Sequence, residues 1–366
     1  MQEGGVQMGV KDFFRLVREK APSAFKKYDL SLFRGHCVAI DISNVAYRER
    51  ALALKEVINR TSFRQTSELD HGQVLSRWHS RVLDFLFFFL RHQIIPLVVF
   101  DGPPPSTKEE IIAKRREDRE AKRQHILALQ QELTLLRGDH PDLPMGEGTS
   151  LLLKKLREAL SHNVEVTHEE MNQLRTIIGH FGFLVYQARF EAEQLCAMLS
   201  VENMVTAVFS QDSDTLIHGT HFLLTEIEYT NPPVFYGYEL NEILTSFGYT
   251  HDMLIEFAIL AGCDHNTKLP GIAVGKSYTS IRRYQWIDNI PFKEGTDLTG
   301  LNREYCRNIF RRIPVTELIV SHPDLMYEDQ PLGQTFGHPS PVASLVAESL
   351  QLTPYLEEAR RLFALF

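Results

Sequence analysis

VTAVFSQDSDTLIHG, Val205–Gly219, runs from an apolar stretch into two aspartates one residue apart and then back to Leu216 and Ile217. The apolar stretch does not alternate, which suits a strand covered on both faces, as in a parallel sheet. Four further stretches read the same way: Cys37–Asp41 (CVAID), Ile94–Asp101 (IIPLVVFD), Phe183–Ala188 (FLVYQA) and Phe222–Ile227 (FLLTEI). Helical patterns lie between them, among them Leu75–His92, Thr167–Gly179 and Glu191–Ser200. Strands alternating with helices predict an α/β fold with a mostly parallel central sheet flanked by helices.

The acids follow this framework. Asp41 and Asp101 end the first two strands, Glu191 and Glu193 follow the third, and Asp212 and Asp214 follow the fourth. In a parallel sheet all six fall at one edge, the carboxyl edge, where ligand sites of such folds gather. Asp264, after the apolar run Phe257–Ala261, completes the set. Any one of these acids alone reads as a helix cap or a loop residue. Together they would repel one another without cations, and carboxylate oxygens suit Mg²⁺. Two such ions can activate a water and stabilise the leaving oxygen of a phosphodiester. Asp212-Ser-Asp214 is expected to present both carboxylates on one side of an extended segment. Glu191-Ala-Glu193 can converge only at a helix start. His218 and His265 are close to the acids in sequence and read as packing or surface residues.

The remaining composition limits the alternatives. Of 366 residues, 43% are hydrophobic and 23% charged, so a sizeable core is feasible. A net charge of −8 argues against coating nucleic acid through bulk charge, though not against a local basic groove. Cys37, Cys196, Cys263 and Cys306 are far apart, which disfavours a disulfide framework or a zinc site. The opening MQEGGVQMGVKDFF has no signal-peptide pattern, and FLFFFL (Phe85–Leu90) is too short to span a bilayer. The expectation is an intracellular, non-secreted chain without a membrane partner.

Two basic segments accompany the acids. Residues 106–163 interrupt the α/β alternation with strongly helical sequence carrying Lys114, Arg115, Arg116, Arg119, Lys122 and Arg123. This cluster reads equally as a solvated helix face or as phosphate contacts following Asp101. After Asp264, LPGIAVGKSYTSIRRY places a Gly-Ile turn before a helix start, where backbone N–H groups can hold a phosphate or carbonyls a monovalent ion. GIAVGKS lacks the first glycine of a P-loop at the required spacing and follows no strand, which argues against nucleotide hydrolysis by that motif.

With these motifs in order, the sequence resembles the flap endonucleases and the wider XPG-type, structure-specific 5′ nucleases, over about Met8 to Tyr284. The resemblance rests on MGVKDFFRLVREKAPSAF, VAIDISNVAYR, LVVFDGPPPSTKEEIIAKR, FEAEQLCAML, SQDSDTLIHG and ILAGCDHNTKLPGIAVGKS. It implies a PIN/5′-nuclease-like fold with a helical arch over the site and a helix–two-turn–helix. The expected divisions are a nuclease segment at 8–105, the arch at 106–165, a second nuclease segment at 166–265, the helix–two-turn–helix at 266–290 and a helical or flexible tail at 291–366.

The resemblance also assigns residues. Asp41, Asp101, Glu191, Glu193, Asp212, Asp214 and Asp264 match the metal-site carboxylates, taking two Mg²⁺ ions, with Mn²⁺ able to substitute. Lys108 and Arg115 match the basic pair at the scissile phosphate, and Tyr47 an aromatic that stacks on a nucleobase. Gly9 matches a glycine near the active site. Gly271 and Lys276 contact DNA at the helix–two-turn–helix, which can also hold K⁺. The implied activity is 5′ flap endonuclease with 5′ exonuclease action on branched, nicked or gapped DNA in replication and repair, by a monomer.

The sequence departs from the family at four points. Seven residues precede Met8, so translation begins at Met8 or the extension moves aside. The arch is long. Gly-Ile-Ala stands where Gly-Ile-Gly is frequent. The tail EARRLFALF lacks a sliding-clamp box, so no clamp partner is expected. A Holliday-junction resolvase, a processive 5′ exonuclease and a catalytically silent DNA-binding scaffold are the competing readings.

Overall fold

The computed structural model describes residues 9–63, 68–103, 109–137, 147–320 and 336–366. Its sheet has seven strands: β1 (Phe25–Asp29), β2 (Cys37–Asp41), β3 (Ile95–Phe100), β4 (Leu184–Gln187), β5 (Ala207–Phe209), β6 (Phe222–Glu228) and β7 (Val234–Glu239). The spatial order is β1-β7-β6-β5-β2-β3-β4. The pairs from β6 through β5, β2 and β3 to β4 are parallel. At the other edge, β7 runs antiparallel to β6 and β1 antiparallel to β7. The five strands expected from sequence form that parallel portion. The antiparallel edge pair makes the sheet mixed.

The chain enters through α1 (Phe13–Lys20), and α2 (Ile42–Arg60) follows β2. α3 (His71–Arg91) precedes β3. Between β3 and β4 come α4 (Glu109–Arg137), α5 (Glu147–His162) and α6 (His168–His180). α7 (Ala192–Val201) follows β4 and α8 (Asp214–Ile217) follows β5. After β7 come α9 (Leu240–Phe247), α10 (His251–Ala261), α11 (Val274–Tyr284), α12 (Arg303–Ile309) and α13 (Val315–Leu318). The last two helices are α14 (Ala343–Ser349) and α15 (Thr353–Phe363).

Strand side chains alternate between faces, so an all-apolar strand feeds two cores. Ala39, Leu97, Val99 and Val208 pack on one face with residues of α1, α7, α9, α10 and α11. Val38, Ile40, Val98, Phe100, Ala207 and Phe209 pack on the other with α2, α3, α6, α14 and α15. The phenylalanine-rich end of α3 lies wholly in this second core, which is why its apolar run needs no membrane. Among the described residues no helix is long and apolar enough to cross one.

The α4–α5 hairpin has its own apolar seam. Ile126, Leu129 and Leu133 meet Leu152, Leu153, Leu156 and Leu160, together with Leu54, Val57 and Ile58 of α2. The expected insertion is therefore anchored on α2 and leaves the carboxyl end of β3. The tail closes on the core through Leu356, Leu362 and Phe363, whose ring meets that of Phe183 at 5.5 Å.

Candidate metal centre

Each expected acid in the parallel sheet stands where a strand gives way to a turn or helix. Asp41 is the last residue of β2 and the N-cap of α2, where its side chain accepts the Ser43 N–H. Oδ2 of Asp41 also accepts from Asn44 Nδ2 at 3.0 Å and from the Ser210 hydroxyl at 2.8 Å. The carboxylate is 4% exposed. Burial, then the charge of Asp101 and more weakly that of Asp212, pushes its pKa up to about 7, while the Ser210 hydroxyl opposes the shift.

Asp101 reaches across to α7. Its Oδ1 accepts the Ala192 N–H at 2.8 Å and its Oδ2 accepts the Ser43 hydroxyl. Gly102 permits the approach: a Cβ there would lie 2.4 Å from the Ala188 carbonyl oxygen. Glu191 is the N-cap of α7 and Glu193 lies in its first turn, the one arrangement their spacing allows.

Asp212 and Asp214 correct the expectation of an extended segment. β5 ends at Phe209, and Asp214 already opens α8. Oδ1 of Asp212 accepts the Asp214 N–H at 2.9 Å, so the first aspartate folds the turn that carries the second. The N-terminal segment closes on this turn, with the Val10 N–H within 2.9 Å of Ser213 Oγ and 3.1 Å of Asp214 Oδ1. Gly9, at φ +72°, packs so tightly that a Cβ would fall 2.4 Å from Asp212 Oδ1 and Ser213 Oγ.

Asp264 lies partly buried in the turn after α10. Beside it, His265 does what the sequence did not signal. Its side chain is fully buried, packs near the rings of Tyr305 and Phe310, and brings Nε2 to 3.3 Å from Glu191 Oε2. Ligand atoms of Glu191, Glu193 and His265 all lie within 4.8 Å of one another. His218 is buried against Phe310, ring centroids 4.8 Å apart, in keeping with a packing role. The donor set, carboxylate oxygens plus one imidazole nitrogen, fits a divalent cation.

The groups expected to meet substrate are placed as follows. Tyr47 on α2 is 43% exposed, and its hydroxyl pKa is raised by burial against the lowering charges of Arg119 and Arg115, with Asp101 also nearby. Tyr47, Arg115 and Asp101 thus share one neighbourhood. Arg115 is exposed on α4, while farther along Arg123 bonds Glu165 at 2.6 Å. The cluster is therefore part acid-balanced, at Arg123, and part close enough to Tyr47 to act on its hydroxyl, at Arg115 and Arg119. Lys108 lies outside the described residues. Gly271, at φ +75°, and Lys276 are both exposed, at the turn before α11 and in its first residues.

The XPG N-terminal domain profile matches residues 8–122 and the XPG I-region profile residues 182–264. Flap endonuclease 1 of Theileria parva is 28% identical over 290 residues, 79% of this chain and 54% of that protein. Flap endonuclease 1 of Trypanosoma brucei brucei is 28% identical over 323 residues, 84% of this chain and 75% of its own. The chain thus spans about half the length of the Theileria relatives it matches. The catalytic core of Rad2 in complex with DNA substrate superposes with a TM-score of 0.57 at 18% identity, covering 95% of this chain and 99% of that one. Flap endonuclease-1 from Methanococcus jannaschii gives 0.54 at 19% identity, covering 97% and 99%.

Proposed function

The chain belongs to the XPG family, and from that membership we propose that it is a divalent-metal-dependent nuclease acting on branched DNA. The proposed activity is 5′ flap cleavage with associated 5′ exonuclease action, in replication and repair. The observation that supports it best is the gathering of acids from the ends of β2, β3, β4 and β5 beside Tyr47 and Arg115.

In this reading Asp41, Asp101, Glu191, Glu193, Asp212, Asp214 and Asp264 hold the cations. Bound Mg²⁺ supplies Lewis acidity toward the attacking water and the leaving oxygen. The protein's own groups orient the strand. Arg115, with Lys108 on the same segment, neutralises the scissile phosphate. Tyr47 offers its ring face to the adjoining base. The Gly271 turn and Lys276 hold the duplex backbone, by shape and charge rather than base identity. Gly9 and Val10 act by fixing the Asp212–Asp214 turn.

The test is a labelled double-flap DNA incubated in Mg²⁺ or EDTA, comparing wild type with Asp212→Ala, with a nicked duplex and a four-way junction in parallel. Metal-dependent release of the 5′ flap, absent in the variant and fastest on the flap substrate, is expected. Symmetric cutting of the four-way junction instead would reassign the protein as a resolvase. Binding without cleavage of any substrate would leave only a scaffold.

A further inference from the structure

We propose that His265 is itself a metal ligand, joining Glu191 and Glu193 in a nitrogen-containing site that favours a first-row transition cation over Mg²⁺. The inference rests on the metal-dependent reading above and adds a ligand of different chemistry to it. A buried imidazole normally hydrogen-bonds through at least one ring nitrogen, because an unpaired polar group away from water is costly. The His265 side chain has no exposed surface, and neither ring nitrogen has a hydrogen bond. Nε2 instead points at Glu191 Oε2, 3.3 Å away, with Glu193 completing a set of donors within 4.8 Å.

The surroundings hold the ring in that direction. Tyr305 and Phe310 flank it at 6.4 and 6.0 Å between centroids. Cys306 Sγ donates to the His265 backbone carbonyl at 3.8 Å. Asn266 fixes the following residue, its Nδ2 bonding the Ile259 and Leu301 carbonyls and its Oδ1 accepting the Cys263 N–H. A cation among the three donors satisfies all of them, because it draws the two carboxylates together and takes the imidazole lone pair. Mg²⁺ gains little from nitrogen, whereas affinity of an N/O site rises through Mn²⁺ and Fe²⁺ to Co²⁺.

The test uses the whole chain, stripped of metal. Mn²⁺-loaded wild type is examined by electron spin-echo envelope modulation, with and without ¹⁵N-histidine labelling. Co²⁺ and Mg²⁺ affinities of wild type and His265→Gln are compared by calorimetry. The expected spectrum carries a histidine nitrogen coupling that changes isotope on labelling and vanishes in the variant. The expected Co²⁺-over-Mg²⁺ preference falls by roughly tenfold or more in His265→Gln. If that variant does not fold, the labelled wild-type spectrum decides alone. Mn²⁺ bound without histidine coupling would overturn the ligand, and if flap cleavage persisted the nuclease reading would survive. Absence of both metal binding and cleavage would remove both.

Discussion

Replacing Asp101 with asparagine separates what the acid cluster does for the fold from what it does for chemistry. The substitution keeps the shape and both contacts, since Oδ1 still accepts the Ala192 N–H and the new amide can donate to the rotatable Ser43 hydroxyl. What it removes is a negative charge beside buried Asp41. That carboxyl is raised from 3.8 to about 7, worth about 4 kcal/mol at ~1.36 kcal/mol per unit. Burial is the largest cause and Asp101 the next. Asp101 is therefore the smaller of the two main causes, and solvent around its exposed side chain screens its share to about 1 kcal/mol. A raised folded-state pKa means stability that is complete below the unfolded value and lost as pH rises through about 7. In EDTA and low salt, Asp101→Asn is therefore expected to melt about 2 °C above wild type at pH 8, with the gap closing by pH 5. Both proteins share His79, so its own titration cancels in the difference. Added Mg²⁺ should reverse the order, because wild type gains more from it. A variant less stable than wild type in EDTA at pH 8, or an offset independent of pH, would refute the reasoning.

Gly9→Ala meets both a left-handed φ and atoms 2.4 Å from the new Cβ, and should cost about 2 kcal/mol or more in urea unfolding while sharply reducing flap cleavage. Asn266→Ala removes three hydrogen bonds to Cys263, Ile259 and Leu301 and should cost about 2–3 kcal/mol, read in the same assay, with metal affinity falling as the Asp264–His265 turn loosens. Glu256→Ala strips the buried carboxylate that accepts the Ile287 N–H and pairs with Arg307. It should destabilise by about 3 kcal/mol, leaving cleavage near wild type well below the melting point, since the hydrogen bonds of Glu256 go to Ile287 and Arg307 rather than to the acids. Burial holds the His79 pKa down at about 4, so neutral His79 contributes stability present above about 6.5 and lost as pH falls toward 4. His79→Leu should flatten the acid side of the pH–melting curve, and an unchanged curve would show that His79 takes no part.

The central parallel strands were legible because they are apolar on both faces, and few other settings accept CVAID or VTAVF. β1 and β7 were not. FKKYD carries two adjacent lysines and an aspartate, and VFYGYE contains a glycine, so neither resembles a buried strand. Their pairing depends on contacts made only in the folded chain, where Gly237 lets β7 approach β6: a Cβ would lie 2.4 Å from the Leu223 carbonyl oxygen. The acids were legible for a related reason, since strand ends fix where they fall. The direction of a side chain leaving a turn is not local information. Asp212 folds back onto the Asp214 N–H rather than continuing β5. His265 faces Glu191 because α12 supplies the rings and the thiol that hold it, and nothing beside His265 in sequence announces that packing.

The same turns explain how so many acids can assemble before any cation arrives. β2 and β4 lead into helices whose N-termini face the carboxyl edge, and a helix start offers unsatisfied N–H groups and a partial positive charge. Asp41 caps α2, Glu191 occupies the cap position of α7, and Asp101 takes the Ala192 N–H at the first residue of α7. The fold thus offsets part of the carboxylate repulsion with backbone donors. It does not offset all of the cost, since burial first and the charge of Asp101 second still raise Asp41 to about 7 despite three hydrogen bonds. That residual strain is what a bound cation relieves, so metal affinity and metal-free instability should rise and fall together across substitutions in this cluster. A variant that gained metal affinity without losing metal-free stability would break that link and show that the crowding of the acids is not what the cation relieves.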